Sequence, residues 1–79
     1  MRTLIVDDRQ ENLLYLEKLL ISLDYEVDQA VNGIEALRKL RETSFDLIIS
    51  DILMPDMDGY LFCRECKKDN ALKKIPFIF

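Results

Sequence analysis

Residues 48–60 read IISDILMPDMDGY, an apolar run that ends at Asp51 and passes into a short acidic loop. With residues 45–47 before it, this run predicts a strand at 45–50 that is covered on both faces, as strands of parallel sheets are. Asp51 would then stand at the carboxyl end of a buried strand. Asp56 and Asp58 belong to the loop, and Asp58 is placed to cap a following helix.

Outward from this stretch, strand and helix patterns alternate along the whole chain. Short β-branched or apolar runs predict strands at 3–6, 45–50 and 75–79, and alternation predicts a strand at 26–30. Pro76 must lie at a strand start or on an edge. Helical spacing predicts helices at 11–23, from an N-cap at Asn32 to about Glu42, and at 60–69. The order β-α-β-α-β-α-β predicts an open parallel sheet.

The first helix is predicted to have a wide apolar face. Its inward positions are predicted to be Leu13, Leu16, Leu20 and Leu23, and the apolar face is predicted to be widened by Leu14, Leu19 and Ile21. In the third helix, Phe62 and Cys66 are four residues apart and are predicted to face inward together.

Three aspartates follow strands that we expect to be neighbours in the sheet. Asp7 and Asp8 come directly after the first strand, and Asp51 comes directly after the third. Parallel strands end at one edge of a sheet, where ligands bind, so the three carboxylates are predicted to meet there. Their mutual repulsion would be relieved by a hard divalent cation, and Mg²⁺ suits a few carboxylates that leave room for a phosphate oxygen. The sequence therefore predicts a magnesium site suited to phosphoryl transfer, with a carboxylate as nucleophile.

The residues LIVDD at 4–8, LIISD at 47–51 and MPDMDGY at 54–60 resemble the receiver domains of two-component response regulators, the chemotaxis-regulator-like superfamily. The resemblance covers all 79 residues and implies a flavodoxin-like sheet of order 2-1-3-4 with one receiver domain at 1–79. It implies that Asp51 accepts a phosphoryl group from a histidine kinase or phosphotransfer protein. It also implies that Mg²⁺ is coordinated directly by Asp8, mostly through water by Asp7, and by the backbone carbonyl of Leu53. Pro55 and Gly59 would shape the loop, with Gly59 supplying a backbone conformation closed to other residues.

Receiver domains usually continue through a fourth helix, a fifth strand and a fifth helix, which carry a Ser or Thr and a Lys that act on the phosphoryl group. Against that pattern the 79 residues correspond to a truncated receiver, in which phosphorylation is expected to be slow and a lone monomer marginal. The fourth strand would be an exposed edge, where a homodimer could form.

Other functions remain as alternatives. The chain could be a pseudo-receiver that acts as a protein-interaction module without efficient phosphorylation, and a small phosphohydrolase using Asp51 is a third possibility. We expect a signalling domain and no enzyme.

Residues 54–65 approach the pattern of an EF-hand calcium loop, but Met54 stands where the first carboxylate is needed and a strand precedes the loop. Cys63 and Cys66 form a C-x-x-C without any histidine, which favours two reduced thiols packed as small apolar groups.

Composition sets the remaining expectations. The chain is 49% hydrophobic and 33% charged, which is typical of a folded globular domain. Its net charge of −4 argues against direct nucleic-acid binding, which depends on lysine and arginine contacts to phosphates. There is no apolar run near the length of a membrane span and no signal-peptide pattern, so we expect no membrane partner and a cytoplasmic location.

Overall fold

The computed structural model describes residues 1–54 and 57–79. Seven elements follow in strict alternation: β1 (Arg2–Val6), α1 (Gln10–Ser22), β2 (Glu26–Ala30), α2 (Gly33–Glu42), β3 (Leu47–Ser50), α3 (Gly59–Lys68) and β4 (Phe77–Ile78). The loop-shaping role predicted for Pro55 and the loop position predicted for Asp56 lie outside the described residues. Within the described residues, none of the helices has the length and apolar character needed to cross a membrane.

The four strands form one parallel sheet in the order β2-β1-β3-β4, so the predicted flavodoxin-like fold is confirmed. In the register of this sheet, Val6 of β1 is level with both Ala30 of β2 and Ser50 of β3. The three strands therefore end in line at one edge. The residues that immediately follow them, which include Asp7 and Asp51, start from the same level.

Two strands are shorter than predicted. β3 begins at Leu47 rather than at Phe45, although Phe45 remains buried in the core. β4 spans two residues rather than five. Pro76, which has no N–H group to donate, precedes it and accepts a hydrogen bond from the Ile48 amide (3.0 Å). Pro76 was predicted to lie at a strand start or on an edge, and it stands immediately before the edge strand β4.

Helices α2 and α3 cover one face of the sheet, and α1 covers the other. The larger core cluster joins Leu4 and Ile48 of the sheet to Leu37 of α2 and Phe62 of α3. The smaller cluster joins Ile5 to Leu13 and Leu20 of α1. Phe62 and Cys66 are both fully buried, so their predicted inward orientation is confirmed.

The apolar face predicted for α1 is too wide. Leu13 and Leu20 are buried and Leu16 is half-buried, whereas the remaining four of the predicted apolar positions are exposed: Leu14, Leu19, Ile21 and Leu23. A single helix lying on a sheet buries one stripe of side chains, and residues off that stripe face away from it. The surplus apolar residues thus form exposed surface along α1.

Capping side chains fix where the other two helices begin. The Asn32 side chain accepts from the Glu35 amide (2.8 Å), and the Glu35 carboxylate reaches back to the Val31 amide (3.1 Å). The Asp58 side chain accepts from the Leu61 amide (2.8 Å) at the start of α3. Both predicted caps are therefore confirmed, and each supplies a partner for an otherwise unpaired helical N–H.

The two edges of the sheet differ in chemistry. Edge strand β2 carries Glu26, paired with Arg2 (3.0 Å), and Asp28, paired with Lys39 of α2 (3.0 Å). Edge strand β4 carries Ile78, with Phe79 after it, and both are half exposed. Charged side chains protect an edge from pairing with another chain, and β4 is the edge without that protection.

Candidate functional site

The backbone of the sheet brings Asp7 and Asp51 side by side. The amide of Asp51 donates to the carbonyl oxygen of Val6 (2.8 Å), which continues the pairing of β3 with β1 by one residue. The amide of Asp7 donates to the carbonyl oxygen of Ala30 (3.1 Å) and continues the pairing of β1 with β2. Both carboxylates thus leave the sheet from its last hydrogen-bonded positions, where the backbone is well held.

The three predicted acidic residues form one cluster. A carboxylate oxygen from each of Asp7, Asp8 and Asp51 lies within 4.8 Å of the other two. Asp7 is buried, Asp51 is half-buried and Asp8 is exposed, so the cluster opens from the sheet edge towards solvent. The structure therefore brings together the three side chains that were predicted to meet.

Hydrogen bonds from neighbouring groups orient two of the carboxylates. The Arg9 amide donates to Asp7 Oδ1 (3.0 Å), and the side-chain amide of Asn12 donates to Asp7 Oδ2 (3.1 Å). The Ile52 amide donates to Asp51 Oδ1 (2.8 Å). The sequence analysis missed Asn12; the signal that could have found it is a side-chain amide in the first turn of the helix that follows Asp7.

This donor set fits a hard divalent cation. All three side chains offer carboxylate oxygens, and within residues 1–54 and 57–79 none of the ion pairs involves Asp7, Asp8 or Asp51. Three like charges held this close repel one another, and a cation between them turns that repulsion into attraction. Carboxylate oxygens without nitrogen or sulfur ligands favour Mg²⁺ or Ca²⁺ over Zn²⁺, and a cluster of only three leaves the several positions that Mg²⁺ fills with water or phosphate oxygens.

A cleft of about 240 Å³ adjoins the cluster. Asp7 and Asp51 line it together with apolar side chains, among them Leu16, Ile49 and Phe79. Apolar walls beside charged groups reduce screening by water, so the field of the carboxylates is stronger here than on an open surface.

The start of α3 is packed against the residues after Asp51. The Gly59 amide donates to the Ile52 carbonyl oxygen (2.7 Å), and a β-carbon on Gly59 would collide with the Asp51 carbonyl oxygen and lie 2.8 Å from Ile52 Cα. The reason predicted for this glycine is wrong: Gly59 is helical and has no positive φ, so it is needed for close approach. Leu53 has an 80% exposed side chain, and the role of its carbonyl as a ligand stays a prediction.

The alternatives for neighbouring motifs can be decided from the geometry. Because strand β3 rather than a helix precedes the loop, the EF-hand interpretation is excluded.

Cys63 and Cys66 are both free thiols, as predicted. Burial, with a smaller contribution from the neighbouring Cys63, raises the pKa of Cys66 to about 12, which suits a side chain packed in the core.

Comparison with known proteins points to one family. Residues 3–79 match the family described as the response regulator receiver domain. The chain is 41% identical over 68 residues to the sensor protein EvgS of Escherichia coli K12, and the match covers 86% of this chain and 6% of EvgS. The chain thus spans a small part of that relative.

Two solved structures extend the comparison to the fold. The signal receiver domain of a signal transduction histidine kinase from Syntrophus aciditrophicus superposes with a TM-score of 0.94 at 43% identity, covering 96% of this chain and 58% of that one. The receiver domain of the sensor histidine kinase PA1611 from Pseudomonas aeruginosa PAO1, with a magnesium ion coordinated in its active-site cleft, superposes with a TM-score of 0.91 at 32% identity, covering 96% and 62%. Together with the family match and the acidic cluster at the sheet edge, they show that the chain belongs to the response regulator receiver domain family of two-component signal transduction.

Proposed function

We propose that Asp51 accepts a phosphoryl group from a histidine kinase or phosphotransfer protein, in a reaction that depends on Mg²⁺. The observation that carries this proposal is the approach of Asp7, Asp8 and Asp51 to within 4.8 Å at the end of the sheet. The relatives support the choice of partner, because they include a sensor protein and the hybrid signal transduction histidine kinase L of Dictyostelium discoideum. A cytoplasmic location belongs to the same proposal.

In the proposed site, Mg²⁺ would be held by Asp8, Asp51 and the Leu53 carbonyl, and by Asp7 mostly through water. The ion would supply positive charge that offsets the charge on the phosphoryl oxygens. Asp51 is the nucleophile because it stands at the sheet edge, half-buried, with Oδ1 fixed by the Ile52 amide. This hydrogen bond limits rotation of the carboxylate and leaves Oδ2 free of that amide.

The transfer itself exchanges one bond to phosphorus for another. An Asp51 carboxylate oxygen forms a P–O bond as the P–N bond of a donor phosphohistidine breaks, and the electron pair of that bond returns to the imidazole nitrogen. No oxidation or reduction occurs. Asp7 and Asp8 would hold the ion beside Asp51, which is why three acidic residues would serve one phosphorylation site.

The test is phosphorylation by a small phosphodonor such as acetyl phosphate, followed by intact mass spectrometry. We expect the wild-type protein to gain the mass of one phosphoryl group in the presence of Mg²⁺ and to gain none with EDTA. Asp51→Asn should gain none in either case, whereas Asp46→Asn, at the opposite end of the same strand, should behave as wild type. Phosphorylation that persists in Asp51→Asn, or a wild-type protein that takes no phosphoryl group, would rule out the proposal.

A second candidate function is a protein-interaction module that pairs through the β4 edge. The observation that favours it is the half-exposed pair Ile78 and Phe79 on the edge that lacks charged side chains. The partner we propose is a second copy of this chain, because the same edge on both copies makes the contact self-complementary. This role does not require phosphate, so association that is unchanged by Asp51→Asn would separate it from the first.

A further inference from the structure

The carboxylate of Asp7 is held at both of its oxygens, and only one of the two donors is a side chain. The Arg9 amide donates to Oδ1, and Asn12 Nδ2 donates to Oδ2 at 3.1 Å. We propose that Asn12 is a positioning residue for the magnesium site, one that fixes the rotation of the Asp7 carboxylate without touching the ion. The inference rests on the proposed function, since it concerns the same site.

The position of Asn12 suits this role because the backbone that carries it is well held. Asn12 lies in the first turn of α1. The next residue, Leu13, is buried against the sheet, and its amide donates to the Arg9 carbonyl oxygen (3.2 Å). Asp7 therefore bonds to two parts of one hydrogen-bonded turn. A carboxylate fixed in this way loses little further freedom when an ion arrives, and such preorganisation strengthens binding.

The chemical nature of the side chain matters as much as its position. Asn12 donates through a neutral amide, so it orients a carboxylate without neutralising it. A lysine or arginine at this distance would place a positive charge beside Asp7 and would compete with the cation for it. A neutral donor adds no positive charge and so does not compete with the cation for the cluster.

Mg²⁺ gives this proposal a specific signature. Magnesium requires near-ideal octahedral geometry, whereas Ca²⁺ accepts irregular arrangements of oxygen ligands. Loss of a group that only orients a ligand should therefore weaken Mg²⁺ binding more than Ca²⁺ binding. Loss of general negative potential or of folded protein would weaken both to a similar extent.

The experiment is calorimetric titration of the protein with Mg²⁺ and, separately, with Ca²⁺. For Asn12→Ala we expect Mg²⁺ affinity to fall roughly tenfold, the lower end of the range for groups that orient metal ligands, and Ca²⁺ affinity to fall less. Asn12→Leu, which keeps the volume but also lacks the donor, should behave in the same way. Alanine and leucine are better helix formers than asparagine, so thermal unfolding without metal should occur at or above the wild-type temperature.

A matched control removes an equivalent hydrogen bond elsewhere on α1. Gln29 Nε2 donates to the Glu17 carboxylate (2.7 Å), so Gln29→Ala deletes the same kind of amide-to-carboxylate contact away from the cluster and should leave both affinities unchanged. If wild-type protein binds Mg²⁺ and Asn12→Ala binds it equally well, or loses both ions equally, the role of Asn12 is refuted and the proposed function stands. If wild-type protein binds no Mg²⁺, both fail.

Discussion

The first residue of α3, Gly59, lies against the backbone of Asp51 so closely that no β-carbon fits between them. The atoms in the way are the Asp51 carbonyl oxygen and Ile52 Cα, which cannot move without moving the end of β3. Gly59 thus connects the start of α3 to the residue proposed to carry the phosphoryl group. Because Gly59 has a helical backbone conformation that other residues can adopt, the effect of a substitution there depends on space alone.

Gly59→Ala should therefore destabilise the protein, by about 1–3 kcal/mol as overpacked substitutions do. The sign is informative, because glycine to alanine within a helix would otherwise stabilise by up to about 1 kcal/mol. Gly33→Ala is the matched control: Gly33 also begins a helix, but its β-carbon would meet the flexible Met57 side chain at 2.8 Å. Urea unfolding of both variants checks this, and equal stability of the two would contradict it.

The ion pair between Lys39 and Asp28 should give a small, pH-dependent contribution to stability. Burial would raise the pKa of Asp28, but hydrogen bonds from Lys39 and the Gln29 amide outweigh it and lower the pKa below 3.8. A depressed carboxyl pKa stabilises the folded state above the unfolded pKa, and this stabilisation is lost as pH falls through the folded value. Because Asp28 is half exposed, we expect Lys39→Met to lose less than about 1 kcal/mol at pH 7.

Chemical unfolding of Lys39→Met from pH 7 down to pH 2 would measure this difference. It should shrink as pH falls below 3.8, whereas Arg38→Met, which removes the exposed pair with Glu42, should show a smaller difference at pH 7. A Lys39→Met difference that stays constant over this range would show that the ion pair is not responsible, and that packing of the lysine stem or its hydrogen bond to the Gln29 carbonyl oxygen is.

Alkylation should distinguish the two cysteines. At pH 8 a thiol with a pKa of about 12 is ionised in only about one molecule in ten thousand, and Cys66 is also buried, so iodoacetamide should label it far more slowly than half-buried Cys63. Arg64 lies between them, so trypsin separates the two for mass spectrometry. Equal labelling rates in folded protein would contradict the buried position of Cys66.

The same thiol predicts a loss of stability at high pH. The unfolded chain releases the Cys66 proton near pH 9 and the folded chain releases it near pH 12, so the folded state binds more protons between these values. The free energy of unfolding should therefore decrease as pH rises from 9 to 12. Cys66→Ala should show a shallower decrease than Cys63→Ala over the same interval.

Substitution at the β4 edge should reveal whether the chain pairs with itself. Ile78→Lys places a charge on the unprotected edge, and it should abolish concentration-dependent association in sedimentation velocity. Leu14→Lys is matched in exposure (52% against 50%) but lies on α1, so it should leave association unchanged. If Leu14→Lys alone prevents association, the contact is through α1 and the edge model is wrong.

The sequence was sufficient for the fold because β1, β3 and β4 lie in short, largely apolar runs and β2 alternates in polarity. The helices between them fit a parallel arrangement. It was sufficient for the acidic cluster because strand ends determine where Asp7 and Asp51 lie. The length of β4 was predicted wrongly, since an apolar run does not reveal which amides find partners. The width of the α1 face was also predicted wrongly, because burial depends on what lies opposite the helix.

Asn12 shows what remained out of reach. Its role depends on a contact between the loop after β1 and the first turn of α1, and no periodic pattern in the sequence encodes a contact across such a turn. The space limit at Gly59 is similar, because it arises from two segments that meet only in the folded chain. Both residues lie next to the predicted ligands. Sequence patterns thus identified the ligands but not the contacts of the residues that support them.

The unequal edges of the sheet limit how far any association can proceed. A chain with two unprotected edges could add copies without end and form a fibre. Here Glu26 and Asp28 close one edge with charge, and pairing of β4 with β4 would use up the other. For these 79 residues, assembly through the sheet would therefore stop at two copies, because charged side chains would cover both outer edges of the pair.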